Sequence, residues 1–213
     1  MRKPDFGLIE TLRVESANGF LRLEQHLQRL QSSAKELGFI CDADAIRTKL
    51  QAHSTGDQAL RVRLCLTADG KTEIITAPFQ PLSADTHWVV AIAKTRLNSV
   101  DPLLRHKTTR RAIYEAARAE FTPMQADEVL LLNEKDELCE GTITSLFVDM
   151  GDGQLLTPPL QCGLLNGVLR QELLQTGTAK TAILTLQDLQ NAKKIFVGNA
   201  LRGMIPARLA AQT

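Results

Sequence analysis

The stretch EVLLLNEKDELCEGTITSLFVD, residues 128–149, sets one short apolar run against a second that returns after a polar turn. EVLLL over 128–132 reads as a buried strand, NEKDE turns the chain, and ITSLFVD at 143–149 comes back. The same plan recurs upstream. LRVRLCLT at 60–67 alternates, with Leu60, Val62, Leu64 and Leu66 on one side and Arg61 and Arg63 opposite. Asp69-Gly70 then turns the chain into a second strand at 72–77, which makes a hairpin. GLIETLRV at 7–14, WVVAIA at 88–93 and IFV at 195–197 add further strands, and Asn18-Gly19 and 151–153 add turns. Between them lie helical patterns. Leu23, Leu27, Leu30, Ala34 and Leu37 recur at helical spacing and stop at Gly38, and further helices are predicted over 109–120, 167–175 and 186–193. Strands in hairpin pairs between helices predict an α+β fold with mixed sheets rather than a doubly wound parallel one. The Pro-, Ser- and Asp-rich segment 78–86 is loop, so a domain break is expected between 80 and 105. The expected division is a smaller α/β domain over 1–85, a connection over 86–106 and a larger domain over 107–213.

Composition narrows the function classes. A chain of 213 residues, 44% hydrophobic and 23% charged, can bury a substantial core. A net charge of +1 gives no broad pull on nucleic acid or membrane. The sparse aromatic residues, 4% of the chain, offer no stacking platform beside its basic cluster, so no nucleic-acid partner is expected. No apolar run approaches the roughly 18–20 residues of a membrane span. The charged start MRKPDFG has no apolar core behind it, and a cytoplasmic protein is expected. Cys41, Cys65, Cys139 and Cys162 form no C-x-x-C pair and no zinc spacing with histidine, so reduced thiols and no metal are expected. The glycine patterns of dinucleotide and P-loop sites, H-E-x-x-H and G-x-S-x-G are all missing.

Three positions stand out for chemistry, each with an ordinary alternative. Arg105, His106, Lys107, Arg110 and Arg111 are the densest positive charge in the chain. They read as a solvated loop or as a contact for phosphate or carboxylate. A cationic neighbourhood also lowers a lysine pKa, as an amine nucleophile requires. Glu140 lies between a polar turn and an apolar strand, where a carboxylate needs a partner, and a surface salt bridge would supply one. Helical projection puts Arg29 well off the apolar stripe and His26 on its edge, which fits a solvated arginine.

Three strings in order, DPLLRHKTTRRAIYEAARAE, EVLLLNEKDELCEGTITSLFV and LLTPPLQCGLLNGVLRQELL, resemble the class IV aminotransferase family. The opening LIETLRVESANGFLRLEQHLQRLQSSAKELGF and the late VGNALRGMIPARL fit the same family, so the resemblance spans nearly the whole chain. It is strongest to aminodeoxychorismate lyases and to the lyase-like domains fused to aminodeoxychorismate synthase. The resemblance implies a two-domain fold like that of D-amino acid aminotransferase, with pyridoxal 5′-phosphate in the inter-domain cleft. It implies that Lys107 binds the cofactor as a Schiff base and later moves the proton. It implies that Glu140 faces the pyridine nitrogen, and that Arg29 binds the phosphate with the turns at Gly167, Val168 and Leu169 and at Asn199 and Ala200. Leu169 stands where many aminotransferases carry a threonine.

The implied substrate is a small-molecule amine. The leading reading is a lyase that converts 4-amino-4-deoxychorismate to 4-aminobenzoate and pyruvate, with Arg13, Arg111 and Arg202 as candidate clamps on its carboxylates. An aminotransferase acting on branched-chain or D-amino acids is the second reading. A catalytically idle module beside aminodeoxychorismate synthase is the third. The implied assembly is a homodimer.

Overall fold

The computed structural model describes residues 4–53 and 58–210. Met1–Lys3, part of the charged start, lie outside the described residues. Two compact units share the chain: Met1–Pro81 with His106–Arg110, and Leu82–Arg105 with Arg111–Thr213.

The first unit is an antiparallel sheet backed by helices. Strands β1 (Leu8–Glu15), β2 (Gly19–Leu21), β3 (Leu60–Leu66) and β4 (Thr72–Pro78) lie in the order β2-β1-β3-β4. Helices α1 (Leu23–Leu37) and α2 (Ala43–Ala52) complete it. Period-two alternation sends Leu8, Leu12 and Val14 from β1, and Val62, Leu64 and Leu66 from β3, to one face. There they bury against Leu27, Leu30 and Ala34 of α1. Gly38 ends α1 at φ 74°, a left-handed cap whose N–H bonds Ala34 O. Gly19 and Gly70 take positive φ at the two predicted turns. Sequence reading missed α2, although Asp42 caps it by accepting from Ala45 N at 3.0 Å.

The second unit is an eight-stranded mixed sheet. In chain order its strands are β5 (Trp88–Leu97), β6 (Glu128–Asn133), β7 (Leu138–Gly141), β8 (Ser145–Asp149), β9 (Leu155–Thr157), β10 (Ala179–Thr181), β11 (Lys194–Asn199) and β12 (Gly203–Leu209). They are arranged β10-β9-β8-β11-β12-β5-β6-β7. A further pairing of β7 with β8, at Glu140 and Ser145, closes six of them into a ring. Helices α3 (Ala112–Ala119), α4 (Val168–Gln175) and α5 (Leu186–Asn191) belong to this unit. β6 is buried on both faces: Val129 and Leu131 enter one core, Leu130 and Leu132 the other.

The predicted α+β class matches this architecture, and the first unit's leading segment ends at Pro81, inside the break expected between 80 and 105, but the rest of the division differs. The segment 86–106 is no connection, because it holds β5, a ten-residue strand paired in parallel with both β6 and β12. Lys107 does not open the second unit. Its carbonyl accepts from Ile9 N at 2.8 Å and Thr108 bridges Leu8, so 106–110 cluster with the first unit. The helix predicted from 109 therefore starts at Ala112. The strand predicted over 143–149 starts at Ser145, because the residues before it fold around a buried carboxylate. Among the described residues no helix is long and apolar enough to cross a membrane.

Candidate active site

In the second unit the E-G-T segment takes its shape from Glu128. This 1% exposed carboxylate accepts from Thr142 N (3.0 Å), Thr142 Oγ1 (2.6 Å), Ile143 N (3.1 Å) and Thr144 Oγ1 (2.8 Å). Those bonds offset the cost of burying the charge and fold 142–144 into a tight loop. Gly141 leaves room for these bonds, since a Cβ there would crowd Thr144 Oγ1 and lie 2.7 Å from Glu128 Oε2. Arg111 braces the same loop by donating to Thr142 O at 2.5 Å, with its guanidinium 4.9 Å from the Tyr114 ring centre.

Glu140, just before this loop, is 5% exposed rather than a surface charge. Its Oε1 accepts from the Tyr114 hydroxyl at 2.8 Å and from Leu165 N at 3.1 Å. Burial, then the Glu140 charge, push the Tyr114 hydroxyl far above the ordinary tyrosine value, so Tyr114 stays a donor. The segment that carries Leu165 is held by Arg170, a 2% exposed arginine on α4. Arg170 donates from Nη2 to Pro158 O at 2.7 Å and from Nη1 to Asn166 Oδ1 at 3.4 Å, pinning both ends of the 158–166 segment. Its own pKa is lowered by burial, which Glu140 opposes.

The predicted phosphate turns meet at Ser145. Gly167 caps α4 with no side-chain bond, and a Cβ there would lie 2.8 Å from Ser145 Oγ. Ser145 also pairs with Glu140 on β7 and with Gly198 on β11. Gly198 is packed under Leu169, whose Cδ2 would lie 2.9 Å from an added Cβ. Asn199 fixes the following turn, accepting from Leu201 N (3.1 Å) and Arg202 N (2.9 Å) and donating to Ile143 O (3.2 Å). Thus Glu140, Gly167, Val168, Leu169, Asn199 and Ala200 are gathered around one strand, β8, and its neighbours. A helix start with no side-chain cap suits an anion, and a buried carboxylate suits a cationic ring nitrogen. These residues fit pyridoxal 5′-phosphate.

Lys107 and Arg29 belong to the first unit. His106 Nδ1 lies 2.9 Å from Ser33 Oγ, which anchors the residue before Lys107 to α1. Arg29 is buried at 9% exposure, against the projection that left it solvated. Its partner is Glu10, which accepts from Arg29 Nε (2.8 Å) and Nη2 (2.5 Å) and contacts His26 Nδ1 (2.6 Å). Burial opposes the charge of Glu10, but Arg29 and His26 outweigh it and bring its carboxyl down to about 2. A carboxyl depressed from 4.5 to about 2 stabilises the fold above pH 4.5 and loses this as pH falls toward 2. Urea unfolding at stepped pH is expected to show that loss in the native chain and not in Glu10→Gln. Parallel pH profiles for the two would contradict it.

The three candidate clamps have partners of their own. Arg13 pairs with Glu15 at 2.5 Å and lies 4.8 Å from the Phe79 ring centre, and Arg202 lies 5.9 Å from that of Trp88. Arg111 holds the loop described above. Among the described residues all four cysteines are free thiols; burial pushes Cys162 up to about 12 and Cys139 higher still, so neither is poised as a nucleophile.

A family model described as amino-transferase class IV matches residues 7–210. The chain belongs to this family and is a pyridoxal-phosphate-dependent enzyme. A Schizosaccharomyces pombe protein provisionally named an aminodeoxychorismate lyase is 30% identical over 196 residues, 89% of this chain and 84% of its own. A Mesorhizobium loti crystal structure, provisionally named an amino-acid aminotransferase, aligns with a TM-score of 0.94 at 53% identity, covering 97% of this chain and 100% of its own. The 4-amino-4-deoxychorismate lyase of Pseudomonas aeruginosa aligns with a TM-score of 0.80 at 26% identity, covering 95% and 82%.

Proposed function

We propose that the protein is a lyase that converts 4-amino-4-deoxychorismate to 4-aminobenzoate and pyruvate. The observation that carries this reading is the near full-length likeness to a relative bearing the lyase name, 30% identical over 89% of the chain. When bound, the cofactor supplies an electron sink at the substrate carbon that carries the amine. Lys107 would hold the cofactor through its aldehyde, and its amine, once displaced by the substrate amine, would take the proton from that carbon. Departure of the enolpyruvyl oxygen then leaves an aromatic ring, and a proton delivered to the enolpyruvyl methylene completes pyruvate. Glu140 would face the pyridine nitrogen and keep it protonated. Arg29, the α4 start at Gly167, Val168 and Leu169, and the turn at Asn199 and Ala200 hold the phosphate. Arg13, Arg111 and Arg202 stand as candidate partners for the substrate carboxylates. The protein works as a homodimer in the cytoplasm, and aminodeoxychorismate synthase is the partner that would feed it.

A second reading, an aminotransferase, is favoured by the 53% identity to the Mesorhizobium loti structure. One assay separates the two. Purified protein loaded with cofactor is given 4-amino-4-deoxychorismate and no keto acid. Stoichiometric pyruvate and 4-aminobenzoate are expected, and turnover that waits on an added keto acid would refute the lyase.

A further inference from the structure

Glu10 lies on β1 in phase with the core residues Leu8, Leu12 and Val14 and is itself 2% exposed. Its two oxygens take Arg29 Nε at 2.8 Å and Nη2 at 2.5 Å, a two-point clamp that fixes the plane of the guanidinium as well as its place. His26 Nδ1, one helical turn before Arg29 on α1, holds the same carboxylate at 2.6 Å. The residues just before Glu10 hold a different group, by main-chain bonds and one bond to the Thr109 hydroxyl. Ile9 N donates to Lys107 O at 2.8 Å, Leu8 bridges Thr108, and Gly7 exchanges bonds of 3.0 and 2.9 Å with Thr109. Four consecutive residues, Gly7 to Glu10, therefore grip the 107–109 main chain along one strand edge and Arg29 through one side chain.

Stability alone is a poor reason for such a pair, because well-packed apolar side chains in its place would stabilise the fold about as well. A fixed orientation is what the geometry provides. We propose that Glu10 is a positioning residue: it aims Arg29 at the cofactor phosphate and, through β1, keeps that arginine in fixed register with Lys107. The proposal rests on the cofactor roles assigned to Arg29 and Lys107 above.

The test compares binding of pyridoxal 5′-phosphate and of pyridoxal, which lacks the phosphate, to the full chain by equilibrium dialysis. Glu10→Gln is expected to lose about 10- to 100-fold in affinity for the phosphorylated ligand and less than about twofold for pyridoxal, the scale on which supporting residues act on a bound group. Glu10→Asp keeps the buried charge but draws the carboxylate back, and is expected to lose affinity in the same phosphate-selective way. It decides the matter should Glu10→Gln fail to fold. Equal losses for both ligands, or an unchanged preference in a folded variant, would overturn the proposal. A native chain that binds both ligands equally would overturn it together with the cofactor reading beneath it, and borohydride labelling of Lys107 in that chain tells the two failures apart.

Discussion

Lys107→Ala is expected to lower turnover by about 10³- to 10⁴-fold, since one side chain is assigned both the covalent hold on the cofactor and the proton transfer. The loss should come without unfolding. Lys107 is half-buried, and its place is set by the main chain, whose carbonyl takes Ile9 N at 2.8 Å while Thr108 bridges Leu8. Removing the side chain touches none of these bonds, so the variant is expected to fold and to melt in one cooperative transition. Borohydride treatment of the loaded native protein, followed by peptide mass mapping, should place the pyridoxyl group on Lys107. The label should vanish in Lys107→Ala. A label on another lysine, or a variant that keeps a tenth of native turnover, would take Lys107 out of this role.

Fold class was legible because it rests on local pattern. β1, β3 and β6 carry alternating or continuous apolar runs, β4 follows the Asp69-Gly70 turn, and α1 carries a helical stripe ended by Gly38. What escaped notice depends on distant partners. β7 is four residues, LCEG, and is a strand because β6 and β8 flank it. β12 contains Pro206, which argues against a strand on local grounds, yet β11 pairs with it at Phe196. β5 is legible as a strand in WVVAIA but its place in the second unit is not, because nothing there announces that its partners, β6 and β12, come later in the chain.

Legibility of the site follows the same division. Residue by residue, Lys107 reads as one charge in a basic loop, and only the family resemblance pairs it with Glu140 and Arg29. One signal was present and went unread. In LIETLRV the alternation that buries Leu8, Leu12 and Val14 also sends Glu10 inward, and an inward carboxylate demands a cation. Arg29, discounted for lying off the apolar stripe of α1, is that cation. An apolar stripe marks where a helix packs, and a buried ion pair can widen the face beyond it. Tyr114 and Arg170 had no such signal: their importance lies in touching Glu140 and the 158–166 segment, which only folding brings about.

Glu140→Gln is expected to lower turnover by about 10²- to 10³-fold, the range seen when a group that stabilises transition-state charge is removed. The substitution removes the charge while keeping the size of the side chain. Both protein donors described above, the Tyr114 hydroxyl at 2.8 Å and Leu165 N at 3.1 Å, reach the same oxygen, Oε1. A glutamine can put its carbonyl oxygen there, keep both bonds and leave the 158–166 segment in place. What changes is the second oxygen, which becomes an uncharged amide and can no longer favour a protonated ring nitrogen. The ring then accepts electrons less readily, and proton removal by Lys107 slows while the cofactor stays attached. Borohydride labelling of Lys107 should therefore persist in Glu140→Gln, with single-turnover kinetics showing the slowed chemical step. A variant that keeps more than a third of native turnover would mean that Glu140 does not set the charge of the ring. Loss of the label would mean that it holds the cofactor in place.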